Sequence, residues 1–474
     1  MKVDVLVAEI GSTTTVVSAF NGIEDQSEQP TFLGQGQAPT SVDEGDVLVG
    51  VRASIKNLKD KLGVNDLTYN ELFASSSAAG GLKMTVHGLV FDMTARAAKE
   101  AALGAGGVLH MVTAGKLRRT DLKKIKEKHP NLILIAGGVD YGERDTALDN
   151  AEKIARLNTT IPVIYAGNVE NQDEVKLIFE DTDQELYIVE NVYPKIDDLN
   201  IEPTRKVIHD AFEKHIIHAP GMENIYDMVN GNIIPTPGSV MNVAKLFYKY
   251  IGDVVVVDVG GATTDVHSVT DGSKFVNKVT VAPEARAKRT VEGDIGLYVS
   301  LEHVIDLYGE EKLIEEGFDL DQIREHYMGI PQNNKEVRFV EKLTEIATRT
   351  AIDRHVGSFR YVYGPSGRQT LAEGKDLSTV KYIIGTGGAL THMKNATEVL
   401  KGIKRDRLSM QLLPKKEPIV LIDKQYIMSA IGVLSMKHEQ AAAMLLAQSL
   451  NFDLLMEAAN EDPDELVKDD VELN

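Results

Sequence analysis

The sequence predicts an α/β protein of two duplicated lobes, because one pattern occurs twice: an apolar strand, an acid, a turn rich in Gly and Thr, and a second strand. Val3–Ile10 runs apolar, and Glu9-Ile10-Gly11-Ser12-Thr13-Thr14-Thr15 turns it into a strand near Val16–Phe20. About 250 residues later, Asp253–Val259 is apolar again, and Asp258-Val259-Gly260-Gly261-Ala262-Thr263-Thr264 leads into a strand at Asp265–Val269. The two segments match at the acid, the first glycine and the last two threonines. Between them strands and helices alternate, which argues for sheets flanked by helices.

Taken in order, a third strand is expected at Phe32–Ala38. Helical spacing of Val47, Val51, Ile55 and Leu58 follows over about residues 43–62. Leu72–Ser75 and Leu82–Val90 read as strands, and an Ala-rich helix from about Thr94 stops at Gly104–Gly107. Next come strands at Val108–Thr113, Leu132–Ala136, Val163–Ala166 and Leu186–Glu190, separated by helices near 121–128, 144–157 and 171–179. The three early strands and this alternation predict one mixed sheet. After the second copy, a further strand is expected near Phe275–Val281. Val380–Ile384 is a strand that enters Gly385-Thr386-Gly387-Gly388-Ala389-Leu390 and a helix over 391–400. These elements place a first lobe with an α/β insertion at 1–245 and a second at 246–460. Residues 461–474, with seven acids against one Lys, form a solvated tail.

Composition narrows the function classes. At 474 residues the chain is long for a single core. A formal charge of −20 disfavours nucleic acid and anionic membranes as partners. The local cluster Arg286, Lys288 and Arg289 reads as a solvated turn. The absence of cysteine removes disulfides, thiolate zinc sites, Cys nucleophiles and Cys-ligated iron–sulfur clusters. No apolar run approaches the roughly 18–20 residues that span a bilayer, and Asp4 and Glu9 interrupt any leader. The expected location is the cytoplasm.

A Gly/Ser/Thr turn between strands aims backbone N–H groups at one point. Glycine removes the Cβ that would block a phosphate, and hydroxyls add donors. An acid ending the preceding strand sits where it holds Mg²⁺ through water. A single such turn reads more readily as a hairpin that needs glycine; two copies, each with its acid, favour phosphate. The expected cradle is Gly11, Ser12, Thr13 and Thr14 with Gly260, Gly261, Thr263 and Thr264, the metal acids being Glu9 and Asp258. Gly385, Thr386, Gly387 and Gly388 form a strand-to-helix turn on which a nucleoside could lie. It is not a Walker loop, since no Gly-Lys-Ser/Thr follows.

These three turns resemble the two phosphate loops and the adenosine loop of the actin/Hsp70/acetate-and-sugar-kinase superfamily, although Glu9 stands where Asp is commoner. The resemblance implies two duplicated, ribonuclease H-like lobes with a cleft for ATP and Mg between them. It also implies catalytic roles for Asp258 and for Asp140, which lies in Ala136–Gly142 and is a candidate for orienting the attacking water or, equally, a turn acid. More specific wording, VAEIGSTTTVVSAF, FASSSAAGGLKM (73–84), ILIAGGVDYGERDTALDNA (133–151), NIIPTPGSVMNVAKL (232–246), VDVGGATTDVHSV and TVEGDIG (290–296), is similar to the MutL-type glutamate mutase accessory family. That implies an ATP-hydrolysing reactivating chaperone for an adenosylcobalamin-dependent mutase, with mutase subunits as partners and a homo-oligomer left open. A small-molecule kinase is the rival reading, with Asp140 or Glu143 as base; a filament protein is a third. Radical-enzyme activators of the superfamily carry cluster cysteines, which this chain lacks. His215 and His218 lack a third ligand nearby and read as helix surface. SSSAAGG (75–81) reads as a turn, 433–450 as core helix, and Arg286, Arg289, Glu292 and Asp294 either line the cleft or form a salt-bridged turn.

Overall fold

Val3, Val5 and Val7 on one face and Leu6, Ala8 and Ile10 on the other are all buried, so the first strand, β1 (Lys2–Ile10), lies inside its sheet. The computed structural model describes residues 1–11, 14–23, 29–41, 45–77, 82–105, 107–217, 222, 224–327, 329, 331–364, 367–406 and 409–460. β1 pairs antiparallel with β2 (Thr14–Asn21), which pairs antiparallel with β3 (Thr31–Pro39). α1 (Val47–Leu62) starts where the Asp46 carboxylate accepts from Leu48 N and ends at Gly63, and β4 (Thr68–Ser76) then pairs parallel with β1.

The chain next leaves this sheet and builds another, wholly parallel one. Its strands are β5 (Lys83–Gly88), β6 (Val108–Ala114), β7 (Leu132–Ile135), β8 (Val163–Tyr165) and β9 (Leu186–Ile188), in the order β6-β5-β7-β8-β9. They alternate with α2 (Arg96–Gly104), α3 (Arg119–Lys128), α4 (Asp145–Ala155) and α5 (Gln172–Glu180), and α6 (Glu202–Ile217) follows β9. Both faces are covered, as a parallel sheet requires. Ile133, Ile135, Val163 and Tyr165 pack with Ala147 and Ala151 of α4, while Leu132, Leu134 and Ile164 pack with Ala98 and Ala102 of α2. β10 (Ile234–Pro235) then returns to pair with β4, giving the first sheet the order β10-β4-β1-β2-β3. The expected single mixed sheet is therefore two sheets.

α7 (Thr236–Tyr250) leads to β11 (Val254–Val259) and β12 (Thr264–Val269), an antiparallel pair. Phe275–Val281, expected as a strand, contains the helix α8 (Lys274–Val279), because the Ser273 hydroxyl caps Val276 N. The third strand is β13 (Ala287–Glu292), antiparallel to β12. α9 (Leu301–Tyr308), α10 (Glu310–Glu315), α11 (Leu320–His326) and the long α12 (Asn334–His355) follow, then the hairpin β14 (Ser358–Gly364) and β15 (Gly367–Glu373). β16 (Tyr382–Thr386) pairs parallel with β11, and after α13 (Gly387–His392) and α14 (Ala396–Lys401), β17 (Ile419–Ile422) pairs parallel with β16. α15 (Met428–Leu434), α16 (Glu439–Leu450) and α17 (Asp453–Asn460) complete the described chain. The order β13-β12-β11-β16-β17 repeats that of the first sheet.

Met1–Ser239, with Ala282–Ala285 and Gly432–Ala441, forms one compact unit; Val240–Val281, Arg286–Ile431 and the chain from Ala442 form the other. The break falls inside α7 at Ser239 rather than at 245. The expected tail at 461–474 lies outside the described residues, as do His218, read with His215 as helix surface, and Ser12 and Thr13. Among the described residues no helix is long and apolar enough to cross a membrane.

Among the described residues three histidines are buried: His87 on β5, His267 on β12 and His355 at the end of α12. His87 bridges the Thr113 and Thr85 hydroxyls at 2.8 and 3.0 Å, and burial pushes its pKa down to about 4. His355 bridges Thr290 and Ser268 at 2.6 and 2.8 Å, whereas neither ring nitrogen of fully buried His267 has a hydrogen-bond partner. Burial first, then neighbouring cations, holds both well below 6.5. An unfolded histidine takes its proton near pH 6.5 while these do not, so their contribution is present above 6.5 and lost as pH falls. Each lowers stability by about 1.4 kcal/mol per pH unit below 6.5, down to its folded pKa. Circular-dichroism melts should show the midpoint falling from pH 7 to 4.5. His267→Phe should raise it at pH 7 and make the fall shallower; parallel curves for the two proteins would contradict this account.

Candidate functional site

The turn between β11 and β12 is closed by Gly260 N donating to Thr263 O at 2.9 Å, with Val259 opposite Thr264 and Asp258 opposite Asp265. The segment after β13 packs behind it. Leu297 N donates to Gly260 O at 3.1 Å, Tyr298 N and Val299 N donate to Gly261 O at 2.8 and 2.9 Å, and a Cβ on Gly296 would fall 2.2 Å from the carbonyl carbon of Ala262. The turn's carbonyls are thus held from behind, while Gly261 and Ala262 stay exposed. TVEGDIG, read from sequence as either cleft lining or a salt-bridged turn, is the backing of this turn and is salt-bridged as well.

Charges fix the same place. Arg289 Nη2 meets Asp265 Oδ1 at 3.2 Å with both side chains buried, and the Thr263 hydroxyl donates to the other carboxylate oxygen at 3.2 Å. Arg354 Nη1 donates to Glu292 at 2.5 Å and to Asp294 at 2.8 Å. Burial pushes the Glu292 carboxyl above its ordinary value despite Arg354; for Asp294 the burial effect is outweighed by Arg354, and its carboxyl is held below the usual range. The expected role of Thr264 as a phosphate donor needs correction. It is fully buried, and its hydroxyl donates to Ile295 O at 2.8 Å, so it pins the backing segment.

The third turn touches the second. β16 pairs with β11 so that Thr386 stands opposite Asp258. Gly387 has φ +85°, and a Cβ there would fall 2.4 Å from Val259 O and 2.6 Å from Asp258 Oδ1. Only a glycine allows this approach. Gly385 is buried against Leu400 and Ile422, and Thr386 is buried with its hydroxyl donating to Asp423 Oδ2 at 3.0 Å, so neither is the nucleoside contact expected of it. Gly388, by contrast, is exposed with open space around its Cβ position.

Asp423 was missed from sequence. Fully buried after β17, it accepts from Thr386, Met428 N, Ile427 N and the Ser449 hydroxyl, the last at 2.6 Å, and so anchors the floor of the third turn. The signal was present, since an acid directly follows the apolar strand Ile419–Ile422, close to where Glu9 and Asp258 stand one residue before the ends of β1 and β11.

The first unit repeats the hairpin. Gly11 N donates to Thr14 O at 3.0 Å, and Ile10 stands opposite Thr15 as Val259 does opposite Thr264. Glu9 is partly buried and Thr14 exposed. Asp140 belongs elsewhere, at the carboxyl edge of the inserted sheet. Its Oδ1 accepts from Val169 N at 3.0 Å and Asn191 Nδ2 at 2.9 Å, the geometry of a carboxylate that fixes loops rather than one that orients water. Glu143 likewise caps α4 through Thr146. No group of three or more His, Asp or Glu able to hold a metal occurs among the described residues. A Mg²⁺ ion bound with nucleotide needs only one or two carboxylates, its remaining ligands being phosphate and water, so Asp258 beside the turn fits.

A family model described as MutL protein matches residues 5–450. Protein MutL of Clostridium tetanomorphum is 38% identical over 446 residues, covering 91% of this chain and 95% of that protein. Among solved structures, nucleotide-free acetone carboxylase is 12% identical with a TM-score of 0.40, covering 98% of this chain and 78% of that one. Glycerol dehydratase reactivase is 11% identical with a TM-score of 0.26, covering 91% and 99%.

Two adjacent glycines should respond in opposite ways. Gly387→Ala forces a Cβ into the end of β11 at a positive φ and should cost at least about 1 kcal/mol, lowering the melting midpoint. Gly388→Ala should leave the midpoint unchanged and weaken nucleotide binding measured by calorimetry. Equal melting effects from the two would contradict the close approach.

Proposed function

The chain belongs to the MutL family, and from that premise we propose that it is a Mg-dependent ATPase serving as accessory protein to an adenosylcobalamin-dependent mutase. The observation that carries the ATPase reading is the repeated hairpin, closed in both units by the same Gly N–H to Thr C=O bond one residue past an acid-bearing strand end. In the second unit Gly261, Ala262 and Gly388 are exposed and carry no side chain larger than a methyl, and their backbone is the proposed phosphate and nucleoside surface. Gly11 and Thr14, with Ser12 and Thr13, are the first unit's proposed phosphate residues, and Glu9 its metal acid.

In this reading Asp258 would hold the metal, and Mg²⁺ when bound would supply charge neutralisation at the phosphates. The residues' own work is orientation. Arg289 and Asp265 hold Thr263, Thr264 holds the backing segment, and Gly387 keeps Asp258 and the third turn in register. Phosphoryl transfer to water needs positioning more than covalent chemistry, and such a set provides it. Loss of the γ-phosphate removes contacts that favour one conformation. A mutase gripped more tightly by that conformation is strained by the cycle and releases an inactivated cofactor.

Asp258→Asn should melt like the parent protein and lose ATP turnover by about a hundredfold or more, as when one transition-state contact is removed. In a release assay, a mutase loaded with hydroxocobalamin should free it with this protein and Mg·ATP, and not with the variant. Unchanged hydrolysis by Asp258→Asn would sink the site. Phosphorylation of a metabolite without release would favour the kinase reading.

A further inference from the structure

The hairpin β14–β15 in the second unit is a sheet of two strands only. Two strands alone are marginal in water, so such a ribbon needs packing to hold it. Its base has that packing. Phe359 N donates to Met410 O at 2.8 Å on one edge, and Val281 N donates to Ala372 O at 2.9 Å on the other. Ala372 and Phe359 also share a small core with Val276 of α8 and with Leu412. Toward the tip, no described segment pairs with either edge.

The register says which groups are left open. Residues two apart on a strand direct their N–H and C=O to the same edge. Ala372 turns its carbonyl outward to Val281, so Thr370 and Arg368 turn their backbone outward too, where neither has a partner among the described residues. Phe359 stands opposite Ala372, Tyr361 opposite Thr370 and Tyr363 opposite Arg368, so these side chains share one face. At its base the Phe275 ring of α8 lies 6.1 Å from that of Phe359, and further out the Arg368 guanidinium sits 4.3 Å from the centre of the Tyr361 ring. The face therefore starts in a core and runs out uncovered, with Tyr361 45% and Tyr363 76% exposed. With Val362 they make the only three consecutive large hydrophobic residues that are exposed among the described residues.

Charge narrows the occupant. The chain carries −20 overall, yet residues 273–281 and 358–373 hold Lys274, Lys278, Arg360 and Arg368 against Glu373 alone. Glu373 is already paired with Arg360, at 3.3 Å on the opposite face. Lys274, Lys278 and Arg368 meet no carboxylate among the described residues. Three cations without a counter-ion thus lie on β15 and on the helix packed against it.

A nucleic acid or an anionic membrane would meet the same cations, but neither offers the alternating N–H and C=O groups that a strand edge pairs with. The overall charge of the chain repels both. A second copy would bring its own lysines and arginines to the same edge. An extended acidic polypeptide matches the open backbone, the rings and the cations together.

We propose that the β15 edge at Arg368 and Thr370 docks an extended acidic segment of a partner protein, which joins the hairpin as a third strand. Its carboxylates meet Arg368 and the lysines of α8, and its side chains on the aromatic face continue the surface of Tyr361 and Tyr363. The probe is a short fluorescein-labelled peptide in which Glu alternates with Val, followed by anisotropy on the full-length protein. Parallel arms use the same peptide with alternate amides N-methylated, a peptide with Lys for Glu, a uridine oligonucleotide, and phosphatidylserine vesicles. The Glu peptide should bind at least about tenfold more tightly than the N-methylated and Lys forms, and less tightly as salt is raised. Tyr363→Ala and Arg368→Glu should each weaken it about tenfold. Both side chains are exposed, so melting curves should stay unchanged. Absence of Glu-peptide binding, equal binding of either control peptide, or binding undiminished by both substitutions would each overturn the site. Tighter binding of the oligonucleotide or the vesicles would reassign the patch to a polyanion. A dimer seen by sedimentation and abolished by Arg368→Glu would give the edge to a second copy instead.

Discussion

Parallel pairing of β11 with β16 sets Asp258 opposite Thr386, and the second unit's site depends on how near the following residue comes. With no side chain at 387, the third turn closes onto the end of β11 and meets the Asp258 carboxylate. Thr386 is then drawn below the surface, where Asp423 receives its hydroxyl. One missing Cβ therefore couples an acid, a glycine turn and a buried anchor that are far apart in the chain.

The two units solve the same local problem with different neighbours. Each hairpin leaves the carbonyl of its leading glycine pointing away from the turn, and such a group needs a donor. At Gly11 the donor is the Thr40 hydroxyl at 2.8 Å, from the chain just after β3. At Gly260 it is Leu297 N, from the segment after β13. The hairpin is common to both, while its support has been built separately.

Much of this was legible in the sequence, because apolar runs broken by an acid and then glycine have few structural solutions. The repeat, its turns and most strands follow from that pattern. Partner choice does not. The strands at 83–188 read correctly as strands, yet periodicity carries no label for the sheet that a strand joins. Phe275–Val281 has β-branched residues at strand-like spacing, and a single hydroxyl cap at Ser273 outweighed them. Thr263 and Thr264 are adjacent and chemically alike, but the pleat turns the second inward, so a motif that counted hydroxyls counted one too many. Asp423 lay beyond the repeat and had no second copy to draw attention to it.

The two-residue pairing of β10 with β4 has a consequence for how the chain acquires its shape. Ser75 and Ser76 meet Ile234 and Pro235 across everything from residue 77 to 233. Closing so long a flexible loop is entropically unfavourable, and so short a pairing returns little toward it. Once the inserted sheet has formed, however, the same two points are joined by an ordered body instead of a slack chain. Its local strand–helix–strand units can form early, and during synthesis they emerge before β10 does. The edge of the first sheet is therefore completed last, and its completion reports that the insertion has already folded.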